Sequence, residues 1–469
     1  MRKFFAVSSD AAATASRLAS TVDSSAPTFR EALAVWTKIG WLSFGGPVGQ
    51  IALMHRILVD EKRWIEEARF LHALNYCMLL PGPEAQQLAT YVGWLLHGVR
   101  GGLAAGVLFI LPGALVLLVL SAIYVLYQGV PLLEAVFLGV KAAVLVIVIQ
   151  ALLRIAKRVL KNRVMKTVAV CAFLGIFVAN IPFPIIVLGA ALVGLAGIRA
   201  GEVQFEVLTP HESEDRLDLL AQSRPGTLRT IGIFIGGVVL WGAPIVASAV
   251  LLGKEHVLVI EGVFFSKLAV VTFGGAYAVL AYMAQQAVDT YAWLTAGEML
   301  DGLGLAESTP GPLIMVTQFV GFLGAYRNAA PFEPMTAAVL GSVMTVWATF
   351  VPCFLWILLG APYVERMRYN RYASAALSTI TAAVVGVVLN LTVWFGVHVL
   401  FGKVNTFGFE HLRLLVPDPA SIDLAALAIA VIAAVGLLRY RVGVVWMLVI
   451  CALFGIVLSQ AAAYTQGLW

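Results

Sequence analysis

Charge is what this 469-residue chain has least of: Asp, Glu, Lys and Arg make up 12% of it, against 61% hydrophobic residues. A soluble domain carries about 25% charged residues, so the composition points to a membrane-embedded protein. Cysteine is equally sparse. Cys77, Cys171, Cys353 and Cys451 stand singly in apolar segments with no CxxC pair, which argues against both a disulfide framework and a zinc site. The seven histidines do not cluster at ligand spacing. No G-x-x-x-x-G-K-[S/T] occurs, so the chain brings no ATPase of its own. Met1 to Ala6 has two basic and few apolar residues before Ser8-Ser9-Asp10, too short a run for a signal peptide; residues 1–28 read as a disordered Ser/Ala-rich tail. The net charge of +5 sits mostly in short loops, where it reads as a topology signal and not as a nucleic-acid footprint.

What the chain does have is long apolar stretches and a repeat. Runs of spanning length lie near 101–127, 131–153, 227–252, 333–359 and 376–401. Trp36-Thr-Lys-Ile-Gly-Trp-Leu-Ser-Phe-Gly-Gly-Pro47 returns as Phe265-Ser-Lys-Leu-Ala-Val-Val-Thr-Phe-Gly-Gly-Ala276, an offset of 229 residues. At the same offset Met54 matches Met283, Trp64 matches Trp293, and Pro81-Gly-Pro83 matches Pro310-Gly-Pro312. Further on, Pro112 matches Pro352 and Gln150 matches Asn390, now at an offset of 240, so an insertion falls around Tyr326–Met335. The expected organisation is a tail at 1–28, a first repeat at 29–199, a hydrophilic connector plus one extra helix at 200–257, and a second repeat at 258–469. Segments 66–98, 165–180 and 183–198 are too short to decide between spans and re-entrant hairpins.

One extra spanning helix between two copies turns the second copy upside down. Arg154, Lys157, Arg158, Lys161, Arg163 and Lys166 follow the apolar run 131–153, whereas the corresponding stretch of the second half, about 402–419, has only Lys403 and Arg413. Conversely Gln128-Gly-Val-Pro131 carries no cation, and its counterpart holds Arg366, Arg368 and Arg371. A bias that reverses between halves is what an inverted repeat requires. The expected fold is an all-α polytopic membrane protein, two homologous halves as inverted-topology repeats with broken or re-entrant helices near the midplane.

Four breaks carry the chemistry: Phe44-Gly-Gly-Pro47, Pro81-Gly-Pro-Glu84, Phe273-Gly-Gly-Ala276 and Pro310-Gly-Pro312. Proline lacks an amide hydrogen and clashes with the preceding turn, so each break ends one half-helix and starts another. The first amides of a half-helix have no partner within it, and with the positive end of its dipole they suit an anion. Irregular backbone at membrane depth is tolerated around a cavity or inside protein. The plain alternative is a kink needed only for packing. The candidate substrate-binding set is Lys38, Ser43, Gly45, Gly46, Val48, Gly49, Gln50, Glu84, Ala85, Gln86 and Gln87 in the first half. In the second it is Lys267, Thr272, Gly274, Gly275, Tyr277, Leu313 and Ile314. Lys38 and Lys267 share one repeat position; each is either an intramembrane anion partner or a side chain snorkelling to the interface. Glu84 would repel an anion. It either caps its half-helix or carries an exchangeable proton, and Leu313 stands in its place in the second half.

Phe44-Gly-Gly-Pro-Val-Gly-Gln-Ile-Ala-Leu-Met-His55, Phe70-Leu-His-Ala-Leu-Asn75 and Cys77-Met-Leu-Leu-Pro-Gly-Pro-Glu-Ala-Gln-Gln-Leu-Ala-Thr-Tyr91 strongly resemble the chromate ion transporter (CHR) family. Phe273-Gly-Gly-Ala-Tyr-Ala-Val-Leu280 with Ser308-Thr-Pro-Gly-Pro312 resembles its second domain, so the chain looks like the long two-domain type. The resemblance implies a multi-pass bacterial inner-membrane protein, a secondary transporter and not an enzyme, that exports chromate and confers chromate resistance. It implies no cofactor. The expected partners are chromate, sulfate as a competing tetrahedral dianion, a coupling proton and membrane lipid, with a homodimer allowed and no nucleic acid. The alternatives are a sulfate or other oxyanion carrier and, disfavoured by the lack of any flavin, haem or nucleotide motif, a membrane-bound reductase.

Overall fold

The computed structural model describes residues 27–78, 80–199, 227–273, 276–360, 371–409 and 412–465. They form sixteen α-helices and one β-hairpin. The first half holds α1 (Phe29–Leu42), α2 (Gly46–His55, continued by a π turn Arg56–Glu61), α3 (Glu67–Cys77), α4 (Glu84–Leu126), α5 (Pro131–Val159), α6 (Arg163–Phe177) and α7 (Phe183–Arg199). α8 (Thr227–Leu252) follows. The second half holds α9 (Val257–Val271), α10 (Ala276–Gln285, continued by a π turn Gln286–Thr290), α11 (Ala296–Ser308), α12 (Val316–Arg327, entered through a 3-10 turn Leu313–Met315), α13 (Pro334–Gly360) and α14 (Arg371–Leu400). β1 (Val404–Phe409) pairs antiparallel with β2 (Leu412–Pro417), and α15 (Leu424–Ala434, continued by a π turn Val435–Arg439) and α16 (Val444–Thr465) close the chain.

Six helices among the described residues are long and apolar enough to cross a membrane. Five coincide with the runs expected from the sequence, and Val444–Ala461 adds a sixth. Outward-facing side chains such as Leu188, Val250, Leu251 and Trp446 are apolar and exposed, as a lipid-facing surface demands. The connector, the N-terminal tail to residue 26, Gly274, Gly275, Arg366 and Arg368 lie outside the described residues.

Unlike a single rod, α4 reverses at His97 and Gly98, where the backbone leaves helical geometry (Gly98 φ 60, ψ −151). The two limbs, 84–96 and 99–126, fold back on each other through glycines. A Cβ on Gly101 would lie 2.2 Å from the Gly93 carbonyl oxygen, so only glycine allows this approach. In the second half the equivalent pair is α12 and α13. They meet in the same way, with Gly341 against the Gly321 carbonyl, but the turn between them is the open stretch 328–333. The insertion near Tyr326–Met335 is this turn.

The short helices form hairpins that enter and leave at one end. Lys62, just after the π turn of α2, pairs with Glu31 at the start of α1 (3.1 Å), so α1 and α2 are the two arms of one hairpin. His97, at the end of the short limb of α4, bonds the Pro27 carbonyl oxygen (2.8 Å), which brings the α3–α4 hairpin back to the same end. In the second half Arg327, at the end of α12, bonds the carbonyl of Trp293 (2.7 Å) and the carboxylate of Glu298 (2.6 Å), joining the bases of the α9–α10 and α11–α12 hairpins. The segment 66–98 is thus a hairpin whose two arms are α3 and the short limb of α4.

The long limb of α4 measures both sets. Near its start it passes His97 and the first-half bases. Near its end Tyr124 donates to Asp301 (2.8 Å) and Gln128, just past it, to Glu298 (2.9 Å), at the second-half bases. Midway, Gly40 packs on the Leu108 carbonyl and Gly113 on that of Pro310. Pro112 withdraws the amide that would bond the Leu108 carbonyl, leaving that oxygen open to Gly40. The hairpins of the two halves thus come from opposite ends of this limb, and their tips meet at its middle.

Candidate functional site

At the meeting of the tips the two halves exchange main-chain hydrogen bonds. The Gly311 amide donates to the Ser43 carbonyl (2.8 Å), and the Gly82 amide donates to the Thr272 carbonyl (2.8 Å). Ser43 and Thr272 are equivalent repeat positions, as are Gly82 and Gly311, so the contact is reciprocal. Each break supplies what its role requires. Gly82 (φ 122) and Gly311 (φ 96) hold backbone conformations closed to other residues, with a proline on either side to stop the helices. Gly45 (φ 83) and Gly46 (φ 72) do the same for the first tip. The supports are also equivalent. Gly113 of α4 lies under Pro310 and Gly311, and its counterpart Cys353 of α13 lies under Gly82.

Three half-helices start at these tips with no side chain capping them: α2 after Gly45, the short limb of α4 after Pro83, and the 3-10 turn after Pro312. Their first-turn amides include those of Gly46, Val48, Glu84, Ala85, Gln86, Leu313 and Ile314. These are the donors an oxyanion would use. Val48 and Gly49 face outward, while Leu313 and Ile314 are buried.

Several predicted side chains are already engaged. The Ser43 hydroxyl donates back to the Ile39 carbonyl (2.7 Å) and that of Thr272 to Leu268 (2.6 Å), a second repeat-equivalent pair. Gln50 donates to the Gly311 carbonyl (2.5 Å), Gln86 to Thr90 (3.0 Å) and Gln87 to the Pro81 carbonyl (2.7 Å). The Gln50 amide ties the two tips together, while those of Gln86 and Gln87 bond within their own hairpin. Their carbonyl oxygens, with that of Gln318, stay buried without partners. Tyr277 reaches the site: its hydroxyl lies near Gly46 and donates to Glu307 (2.9 Å), which is buried beside the Pro310 tip. Lys38 and Lys267 are not brought to the tips. Both are exposed on the outer faces of α1 and α9, with no ion pair among the described residues. Gly274 and Gly275 lie outside the described residues.

Two cations at the tips escaped sequence reasoning. Arg154 and Arg158 stand one turn apart on α5, both exposed. Arg158 lies 3.7 Å from Met78 at the α3–α4 tip, and its charge reaches Glu84; the charge of Arg154 reaches Tyr277. The sequence marks them only as part of a basic loop. Their spacing of four on a helix was the signal that they share a face. The site thus combines open amides and two guanidinium groups with two carboxylates, Glu84 and Glu307. It suits an oxyanion held chiefly by main-chain donors.

A polar cavity of about 190 Å³ lies apart from the tips, lined by Asn180, Gln285, Asp289, Asn390, Trp394 and His398 among others. Gln285 bonds Asn180 across it (2.5 Å). No cluster of three or more metal-ligating side chains occurs among the described residues.

A family model described as chromate transporter matches residues 30–195 and 262–456. Among curated proteins, the chromate transport protein of Pseudomonas aeruginosa is 33% identical over 77% of this chain and 79% of its own length. The probable chromate transport protein of Synechococcus elongatus is 29% identical over 83% of this chain and 92% of its own. The chromate transport protein of Cupriavidus metallidurans is 28% identical over 77% and 82%. No solved structure matches. With most of both halves matched by that one model, this chain belongs to the chromate transporter family.

Proposed function

We propose that this transporter-family protein is a secondary transporter that carries chromate out of the cytoplasm across the bacterial inner membrane and so gives chromate resistance. Its halves act as inverted-topology repeats. The observation that carries the reading is the reciprocal pair of bonds, Gly311 to Ser43 and Gly82 to Thr272. Such an exchange is what a two-fold relation between halves produces. Hairpins based at opposite ends of α4 are what an inverted relation adds. Alternating access then amounts to rocking one set of hairpins against the other around the shared tips.

Charge supports the direction. By the positive-inside rule the basic stretch from Arg154 to Lys166, which ends α5 and begins α6, faces the cytoplasm, and Arg158 within it lies against Met78 at a tip. A dianion captured there gains roughly twice 2.3 kcal/mol per 100 mV on leaving a negative interior. Export can run on that potential, whereas uptake must work against it.

The test is chromate accumulation in energised and de-energised everted vesicles, with and without excess sulfate. Potential-dependent accumulation, reduced by sulfate, is the expected result. Robust sulfate flux without chromate movement would reassign the substrate, and flux of neither anion would sink the transport reading.

A further inference from the structure

Glu261 of α9 is fully buried, and neither carboxylate oxygen has a hydrogen-bond partner. It is also a departure from the repeat, because the equivalent residue of α1 is Ala32. Room for the carboxyl is made by two glycines. A Cβ on Gly324 of α12 would lie 2.8 Å from Oε1, and one on Gly341 of α13 would lie 3.0 Å from Oε2. The slot is thus fitted to a carboxyl group and offers it nothing to bond. Burying an ionised, unpaired carboxylate costs far more than burying the acid.

The charged and titratable groups around the slot do not compensate it. On α12, Arg327 lies one turn beyond Gly324 and is held by Glu298 of α11 and the Trp293 carbonyl. On its own helix, the His256 ring bonds the Ala330 carbonyl (3.0 Å), and Lys267 is exposed two turns away. Lys254 and Glu255 lie in the turn between α8 and α9; Tyr326 is half-buried two residues from Gly324 on α12; and at the start of α13 the exposed Glu333 is engaged by Thr336 about two turns from Gly341, with Cys353 more than three turns beyond Gly341. Tyr277 and Tyr282 of α10 bond Glu307 and pack on Phe264 respectively, and Asp289 lines the separate polar cavity.

We propose that Glu261 is the proton-binding site of this transporter, loading and releasing one proton per cycle as α12 moves over it. The proposal rests on the transport reading above. The mechanical link is α12 itself: its entry turn starts at Pro312, next to the Gly311 that bonds Ser43, and three turns on it supplies the Gly324 wall of the slot. A hairpin that opens the tip contact also uncovers the carboxyl. Glu84, open to Arg158 at the tip, is the competing candidate, and the experiment separates them.

Two measurements on Glu261→Gln, Glu261→Ala and Glu84→Gln test this. Alanine is the natural residue at the equivalent position of α1, so Glu261→Ala is the variant expected to fold if the amide does not. In proteoliposomes, both Glu261 variants should keep chromate-for-chromate exchange within about threefold of wild type. They should lose at least tenfold of net flux driven by a pH gradient, and the remaining flux should no longer vary with pH. Glu84→Gln alters the tip itself and so the level of flux, but the flux that remains should still vary with pH as in wild type. Net flux with the wild-type pH profile in Glu261→Gln would overturn the proposal, and so would transfer of the phenotype to Glu84→Gln. The second readout needs no flux: pH-difference infrared spectra of purified protein should show a protonated carboxyl band in wild type that both Glu261 variants lack. An unchanged band in both would overturn the proposal even if transport is intact. Its loss while no protein moves chromate would leave the proton site standing and refute the transport reading instead.

Discussion

The two halves share a backbone and divide the chemistry. Equivalent positions make equivalent main-chain structure: Ser43 and Thr272 accept across the tips, Gly82 and Gly311 donate. Arg63 (φ 52) and Ala292 (φ 49) take the same left-handed turn after the two π turns. Side chains at equivalent positions differ where function would differ. Glu84 corresponds to Leu313, Glu261 to Ala32, and Gln50 to Val279. A duplicated scaffold fixes geometry twice and leaves each copy free to carry its own titratable groups.

The bases of the hairpins offer the sharpest break in this comparison. Arg327→Met removes two hydrogen bonds from the buried Glu298 and should cost about 2–3 kcal/mol of stability. The first-half tie, Lys62 to Glu31, is exposed on both sides, so Lys62→Met should cost under about 1 kcal/mol. Thermal unfolding in detergent should rank the two variants in that order; equal shifts would show that the two halves are tied equally firmly at their bases.

The supports under the tips come next. A Cβ at Gly113 would sit 2.2 Å from the Pro310 oxygen, a main-chain atom that cannot step aside cheaply. Gly113→Ala should cost about 1–3 kcal/mol and reduce transport at least tenfold. Cys353→Ala, at the equivalent position, shortens a side chain and should cost about 1 kcal/mol with transport retained. If Gly113→Ala transports like wild type, the tip contact is not needed for function.

A smaller effect is expected of Gln50→Val, which gives the first half the residue type of the second. It removes one tie to Gly311 and should lower stability by about 1 kcal/mol, read as a modest fall in melting temperature. An unchanged melting temperature would show that the Gly311 amide alone holds the tip.

Much of this was legible in the residues. The four breaks announced themselves because Gly and Pro are used there for what their backbones permit. The change of offset between Pro83/Pro312 and Pro112/Pro352 located the open turn 328–333 to within a few residues. Less visible was the pairing of the tips, because carbonyls and amides carry no letter in a sequence. Ser43 and Thr272 were noticed as hydroxyls, yet it is their carbonyls that cross between halves. Lys38 and Lys267 attracted notice as repeated charges and stand on outer faces instead, while Arg154 and Arg158 were hidden in a loop read only for its sign. The sixth spanning helix was missed because the apolar run at 444–461 was not counted among the spans. The reversal at His97 and Gly98 was obscured for a related reason, since both limbs are apolar helix on either side of it.

A junction written in peptide groups has a consequence for descent. Any residue can supply the carbonyl at 43 or 272, and only a glycine is demanded at 82 and 311. The two copies can therefore diverge until little but their punctuation is alike, while still recognising each other, because the part that recognises is the part mutation cannot rewrite.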